Sequence, residues 1–162
     1  LIERSLVYSD NVAAVMLERY DGNRSLKKLS EEMGISITHK IPPYKELSLR
    51  EYAGFFRILF NSTYLQPHNS NEILETLSKT KWASGIRSVI PRTILVASKF
   101  GESPAAGVNE NYLNDCGIVY YPKRPYLLCV SVTGDDNKAQ AKVISDISQF
   151  VITELGGAIP NP

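Results

Sequence analysis

The chain has 162 residues, 43% hydrophobic and 22% charged, the size and balance of one ordinary globular domain able to bury a sizeable core. Eighteen basic against seventeen acidic residues leave a formal charge of +1, with no run of Lys or Arg that could follow a phosphate backbone, which argues against nucleic acid as a partner. His39 and His68 lack ligand-like spacing to each other or to the two cysteines, which argues against a metal centre, and no segment approaches the ~20 apolar residues that span a bilayer.

Leu1, Ile2 and Leu6, and then Val12, Ala13, Val15, Met16 and Leu17, are interrupted by the polar turn Tyr8-Ser9-Asp10-Asn11. The pattern predicts a helix, a short loop and a second helix ending near Asp21-Gly22. That second helix is apolar over most of its surface and is expected at the centre of a helical core. Residues 25–33 read as a short amphipathic helix stopped by Gly34, whereas 35–46, with His39, Pro42 and Pro43 and no period, read as loop. Ser48-Leu49-Arg50-Glu51 is a capping box that opens a helix expected to be buried through Tyr52, Phe55, Phe56, Leu59 and Phe60. Residues 67–80 form a further helix candidate carrying Ile73, Leu74 and Leu77.

Beyond Lys81-Trp82 the pattern changes. Residues 93–98, 117–121 and 126–132 are β-branched and aromatic runs bounded by Gly and Pro, the last two joined by Pro122-Lys123-Arg124-Pro125. Pairing Tyr121 with Tyr126 across that turn sets Cys116 opposite Ser131 and Cys129 opposite Ile118, so the thiols are diagonal neighbours and are expected to be free. On that pairing the cysteines do not fix the compartment. Tyr120, Tyr121 and Tyr126 read as cross-strand packing. A last helix over 135–155 places Ile144, Ile147, Val151 and Leu155 on one stripe. The order is a helical part (1–92), then three antiparallel strands and a closing helix (93–162), both parts of one incomplete α+β domain.

Three features stand in a telling order: Ser9-Asp10-Asn11 between two helices, Lys99-Phe100-Gly101 at the end of a strand, and a hairpin followed by a long terminal helix. With VYSDNVAAVMLERYDG around the first, and RTILVASKFGES then NDCGIVYYPKRPYLLCVSVTG for the strands, the chain resembles the penicillin-recognising serine hydrolases. These are the class A serine β-lactamases and D-alanyl-D-alanine peptidases, whose signatures are S-x-x-K, S-D-N and K-T-G. The resemblance runs from residue 1 to about 155 and weakens between Gly34 and Leu47.

It implies acyl transfer on a β-lactam or a peptidoglycan peptide, with no cofactor, outside the cytoplasm. By resemblance, Ser9 relays a proton toward the leaving nitrogen and Lys99 places positive charge beside it and beside the substrate carboxylate. Asn11 hydrogen-bonds the substrate amide and Asp10 braces its own loop, although Asp10 and Asn11 also suit plain helix capping. Past Gly101, the Glu102 backbone N–H is one oxyanion-hole donor.

The departures are as informative. The family's S-x-x-K serine precedes S-D-N, but only eight residues precede Ser9, and the match Ser25-Leu26-Lys27-Lys28 comes after it on a polar face, as a decoy. The expectation is therefore a C-terminal part of such a domain, opening in mid-helix pattern, with the nucleophile absent and no activity by itself. Its open sheet edge and the apolar groove beside residues 12–17 are expected to recruit a second copy or a complementing N-terminal segment. Residues 33–49 hold Glu46 as their one carboxylate before the helix cap, without the pattern of the class A deacylating glutamate, and Glu31 and Glu32 lie on the preceding helix. Phe100 replaces the hydroxyl residue of K-T-G and cannot donate to a carboxylate. A non-catalytic binding or assembly module of the same fold is the competing reading.

Overall fold

The computed structural model describes residues 1–22, 24–35, 38–41, 44–104 and 111–155, the side chains of 38–41, 44–46 and 104 lying outside that description. Two short helices come first, α1 (Ile2–Val7) and α2 (Asn11–Asp21), followed by α3 (Arg24–Met33) and a small antiparallel pair, β1 (Thr38–Ile41) and β2 (Tyr44–Glu46). Then come α4 (Leu49–Asn61), α5 (Pro67–Ser78), a 3-10 helix (Gly85–Val89), the strands β3 (Val96–Pro104), β4 (Asn111–Val119) and β5 (Tyr126–Gly134), and α6 (Asn137–Glu154).

Helix starts follow local chemistry. Asp10 caps α2 by accepting from the Val12 and Ala13 N–H groups at 2.9 and 3.0 Å. The capping box of α4 is complete: Ser48 Oγ accepts from the Glu51 N–H and the Glu51 carboxylate accepts from the Ser48 N–H. Pro67 opens α5, where its missing N–H costs nothing.

The second sheet has the order β3-β4-β5, all antiparallel, so β4 is central. Side chains alternate across it and divide the core in two. On one face Ala97, Cys116 and Ile118 pack with Phe56 of α4 and Leu74 and Leu77 of α5. On the other Val96, Leu113, Val119 and Val130 pack with Ile86, Ile90, and Ile144 and Ile152 of α6. The result is three layers, α4 and α5 on one side of the sheet and α6 with the 3-10 helix on the other, which is the expected α+β class.

Four expectations are corrected. Residues 35–46 contain β1 and β2 where loop was expected; strands of four and three residues are too short to display a period. Lys99-Phe100-Gly101 lies inside β3, which runs on to Pro104 through polar residues because an edge strand with an open face needs no continuous apolar run. The hairpin register is set by Val119 opposite Tyr126, a turn two residues longer than expected, so Cys116 faces Cys129 directly and the pair is a disulfide, not two free thiols. Finally, the buried stripe of α6 is Gln140, Ile144, Ser148 and Ile152, one residue round from the expected one, and Ile147 is exposed. Two polar residues disguise that stripe, and both are tied down. Gln140 Nε2 donates to the Asn111 and Val132 carbonyls at 2.7 and 3.0 Å, and Ser148 Oγ to that of Ile86 at 3.0 Å.

The largest departure concerns α2. Only Ala13 is buried there; Val12 is 70% exposed and Tyr20 90%, with Val15 and Met16 also open to solvent. Among the described residues α2 packs chiefly on α1, so it lies at the rim and not at the centre of a helical core.

Candidate functional site

The loop between α1 and α2 is held tightly. The Asp10 N–H and Tyr8 N–H both donate to the Arg4 carbonyl at 3.2 Å, and the Arg4 guanidinium meets the Asp10 carboxylate at 2.7 Å. The Ala13 N–H, with Arg4 and the Val12 N–H, holds the Asp10 carboxyl below its ordinary range against the opposing effect of burial. Between these anchors Ser9 has a φ of +54°, a left-handed conformation that a serine adopts at some cost. Its hydroxyl reaches the sheet.

There it meets Lys99. Nζ of Lys99 donates to Ser9 Oγ at 2.7 Å across ninety residues of sequence, and also to the Phe100 carbonyl at 2.7 Å. The Phe100 ring centroid is 4.7 Å from the same nitrogen, and the Lys99 carbonyl accepts from the Tyr52 hydroxyl of α4 at 2.9 Å. Burial brings the Lys99 pKa down to about 8, against the pull of Asp115, so at neutral pH the ammonium dominates but its proton is poised to move. A hydroxyl that accepts from such an ammonium can pass its own proton onward, the arrangement a proton relay requires.

The other expected residues are distributed around this pair. Asn11 is the first residue of α2 and is exposed. Gly101 shares the sheet face of Lys99, and a Cβ there would meet nothing within 4 Å, so the strip beside the ammonium is open. Phe100 has its ring stacked on Trp82 at 4.6 Å and 18°, packed against the core on the α6 side. Glu102 lines a cavity of about 210 Å³ with Trp82, Leu113 and Lys138 on that same far side, which includes neither Ser9 nor Lys99. Ser25, of the decoy S-x-x-K, sits at the exposed start of α3. A second literal match passed over in the sequence, Ser78-Lys79-Thr80-Lys81, closes on its own helix: the Ser78 hydroxyl donates to the Glu75 carbonyl at 2.7 Å and Lys79 pairs with Glu75 at 3.0 Å. The side chains of Glu46 and His39 lie outside the described residues, and His68 is exposed on α5. No cluster of potential metal ligands occurs among the described residues.

Sequence reasoning missed three residues beside the pair: Tyr52, Trp82 and Asp115. Asp115 is fully buried on β4, and burial lifts its pKa to about 7 against the Ile86 and Cys116 N–H groups and Lys99. The clue was a carboxylate among the buried residues of the central strand, visible only once the register is known.

Known proteins share this fold. A family model described as the beta-lactamase enzyme family matches residues 1–155. The structure superposes on a beta-lactamase from Sphaerobacter thermophilus DSM 20745 with a TM-score of 0.80 at 21% identity, covering 98% of this chain and 63% of that one. It superposes on TLA-1 extended spectrum beta-lactamase at 0.78 and 18% identity, covering 94% and 62%, and on PBP-A at 0.73 and 17%, covering 95% and 59%. The chain thus spans about three fifths of the length of these structures. A search of curated proteins found no match.

Proposed function

The chain belongs to the beta-lactamase enzyme family, and from that premise we propose that it forms the proton-relay and substrate-binding part of a serine acyl-transferase acting on β-lactams or D-alanyl-D-alanine peptides. One observation carries the reading: the 2.7 Å hydrogen bond between Lys99 and Ser9, which unites the two motifs whose order suggested the family. In this reading Ser9 passes a proton to the leaving nitrogen and the Lys99 ammonium resupplies it while attracting the substrate carboxylate. Asn11 binds the substrate amide, Asp10 braces the loop, and the Glu102 N–H beyond the open Gly101 strip assists the oxyanion.

The chain spans about three fifths of its structural neighbours, and in this reading the acylated serine is contributed by the part of the fold that these residues do not cover. The uncovered face of α2 and the outer edge of β5, which has no strand partner among the described residues, are where that part or a second copy would dock. The Cys116–Cys129 disulfide supports an oxidising, extracytoplasmic setting. Among the described residues no helix is long and apolar enough to cross a membrane.

A fluorescent penicillin tests the reading. Residues 1–162 remain unlabelled, a longer product of the same coding sequence carrying an upstream S-x-x-K becomes labelled, and Ser9→Ala or Lys99→Ala in that product slows labelling about 10²–10⁴-fold. Labelling unaffected by either change would refute the relay. The Phe100–Trp82 stack, which leaves no hydroxyl at that position, favours the second reading of a non-catalytic binding or assembly module. Failure to label a product that does contain S-x-x-K would select it.

A further inference from the structure

The relay leaves one buried titratable group unused. Asp115 Oδ2 accepts from the Ile86 N–H at 2.9 Å, while Oδ1 has no hydrogen-bond partner of good geometry among the described residues. Asp115 stands opposite Phe100 in the β3–β4 register, so both side chains rise from the same face of the sheet. The turn that presents the Ile86 N–H begins at Gly85, with φ +64°. A Cβ there would come within 2.5 Å of Trp82 Cη2 and 2.7 Å of Asp115 Oδ2. Only glycine allows carboxylate, backbone and indole to pack in direct succession. The indole stacks on Phe100, and Phe100 holds the Lys99 ammonium by its carbonyl and beside its ring.

We propose that Asp115 is a positioning residue for the Ser9–Lys99 pair: through the Gly85–Ile86 turn it clamps Trp82 onto Phe100, and Phe100 seats the Lys99 ammonium against the Ser9 hydroxyl. The clamp spans the sheet, from a carboxylate on the α6 side to a proton relay on the other. Charge acts along the same line. The groups coupled to the Asp115 carboxylate are Lys99 on β3 and Tyr52 on α4. From the other side, α6 offers the Ser148 hydroxyl, which is given to the Ile86 carbonyl, and the Arg87 guanidinium of the 3-10 helix is given to the Ile90 and Pro91 carbonyls. The ionised carboxylate therefore favours the Lys99 ammonium in place as well as in charge.

The inference rests on Ser9 and Lys99 being the working pair, but it concerns their geometry and is measured on this chain without turnover. Trp82 is the sole tryptophan in the sequence, so its fluorescence reports the clamp directly. In Asp115→Asn, which keeps the acceptor and loses the charge, Trp82 anisotropy stays as in the parent chain while the Lys99 midpoint, followed by NMR at Cε, shifts downward. In Asp115→Ala and in Gly85→Ala, Trp82 anisotropy falls and its emission moves to the red. Should those two variants unfold, Trp82→Leu at a half-buried position removes the middle of the clamp, and the Lys99 midpoint rises toward the ordinary lysine value as water reaches the ammonium. Unchanged Trp82 anisotropy in folded Asp115→Ala and Gly85→Ala, or an unchanged Lys99 midpoint in Trp82→Leu, overturns the proposal. A failure of penicillin labelling in the longer product would instead remove the functional reading and leave these midpoints where they are.

Discussion

Helices α2 and α6 have comparable apolar content and opposite fates. Ile144 and Ile152 of α6 are sealed against the sheet, while Val12, Val15, Met16 and Tyr20 of α2 face solvent, Leu17 is half-buried and Ala13 alone is buried. The difference is not in the helices but in what faces them. α6 lies across three paired strands whose inward residues are Leu113, Val119 and Val130, whereas α2 has α1 at its side and the Ser9 loop at its foot. An apolar stripe is stabilising only when a complementary surface removes it from water.

Truncation breaks the comparison most directly. Ile144→Ala is expected to destabilise the fold by about 2–5 kcal/mol in denaturant unfolding, because it leaves a cavity in a closed layer. Val15→Ala on α2 should stay within about 0.5 kcal/mol; a comparable loss at both positions would mean that α2 is covered in solution. Next in size is the disulfide between β4 and β5. Replacing Cys116 and Cys129 by serine should cost about 3 kcal/mol on the chain-entropy account, read as a lower midpoint relative to the oxidised chain.

The pH dependence of stability separates the two sheet faces. Asp115, on the α6 face, has its folded pKa raised from 3.8 to about 7, so the folded state holds the extra proton and stability falls as pH rises from about 4 to 7. Lys99, on the other face, has its pKa lowered from 10.5 to about 8, so the unfolded state holds the extra proton and stability rises from pH 8 to 10.5. Thermal melts should therefore show a minimum near pH 7–8. Asp115→Asn is expected to flatten the acid limb and, by lowering the Lys99 midpoint, to extend the basic limb to lower pH. Asp10→Ala, which removes the cap of α2, should lower the unfolding midpoint by less than loss of the disulfide does, with a Ser9 loop no longer anchored to Arg4.

The helix boundaries were readable in the chain because capping and periodicity are local. Ser48 and Glu51 announce α4 from four adjacent residues, and Pro67 marks the start of α5. The site was half readable: Ser9, Lys99 and their order point to one cleft, yet Asp115 and Trp82, which brace the pair, belong to no motif. Their place depends on Phe100 pairing with Asp115 across two strands, a register that apolar content alone does not specify. The cysteines make the same point, since a turn two residues longer converts diagonal thiols into facing ones.

What the sequence by itself determined was therefore what adjacent residues settle among themselves: the helices and their caps, the strand-rich second half, the α+β class, and the ordered motifs that place the chain in its family. Strand register, the buried stripe of α6, the exposure of α2, the disulfide and the Asp115 clamp were decided only by tertiary structure. Each depends on which surface meets which across tens of residues. That choice is made by the summed burial of both partners, a quantity no single stretch of chain contains.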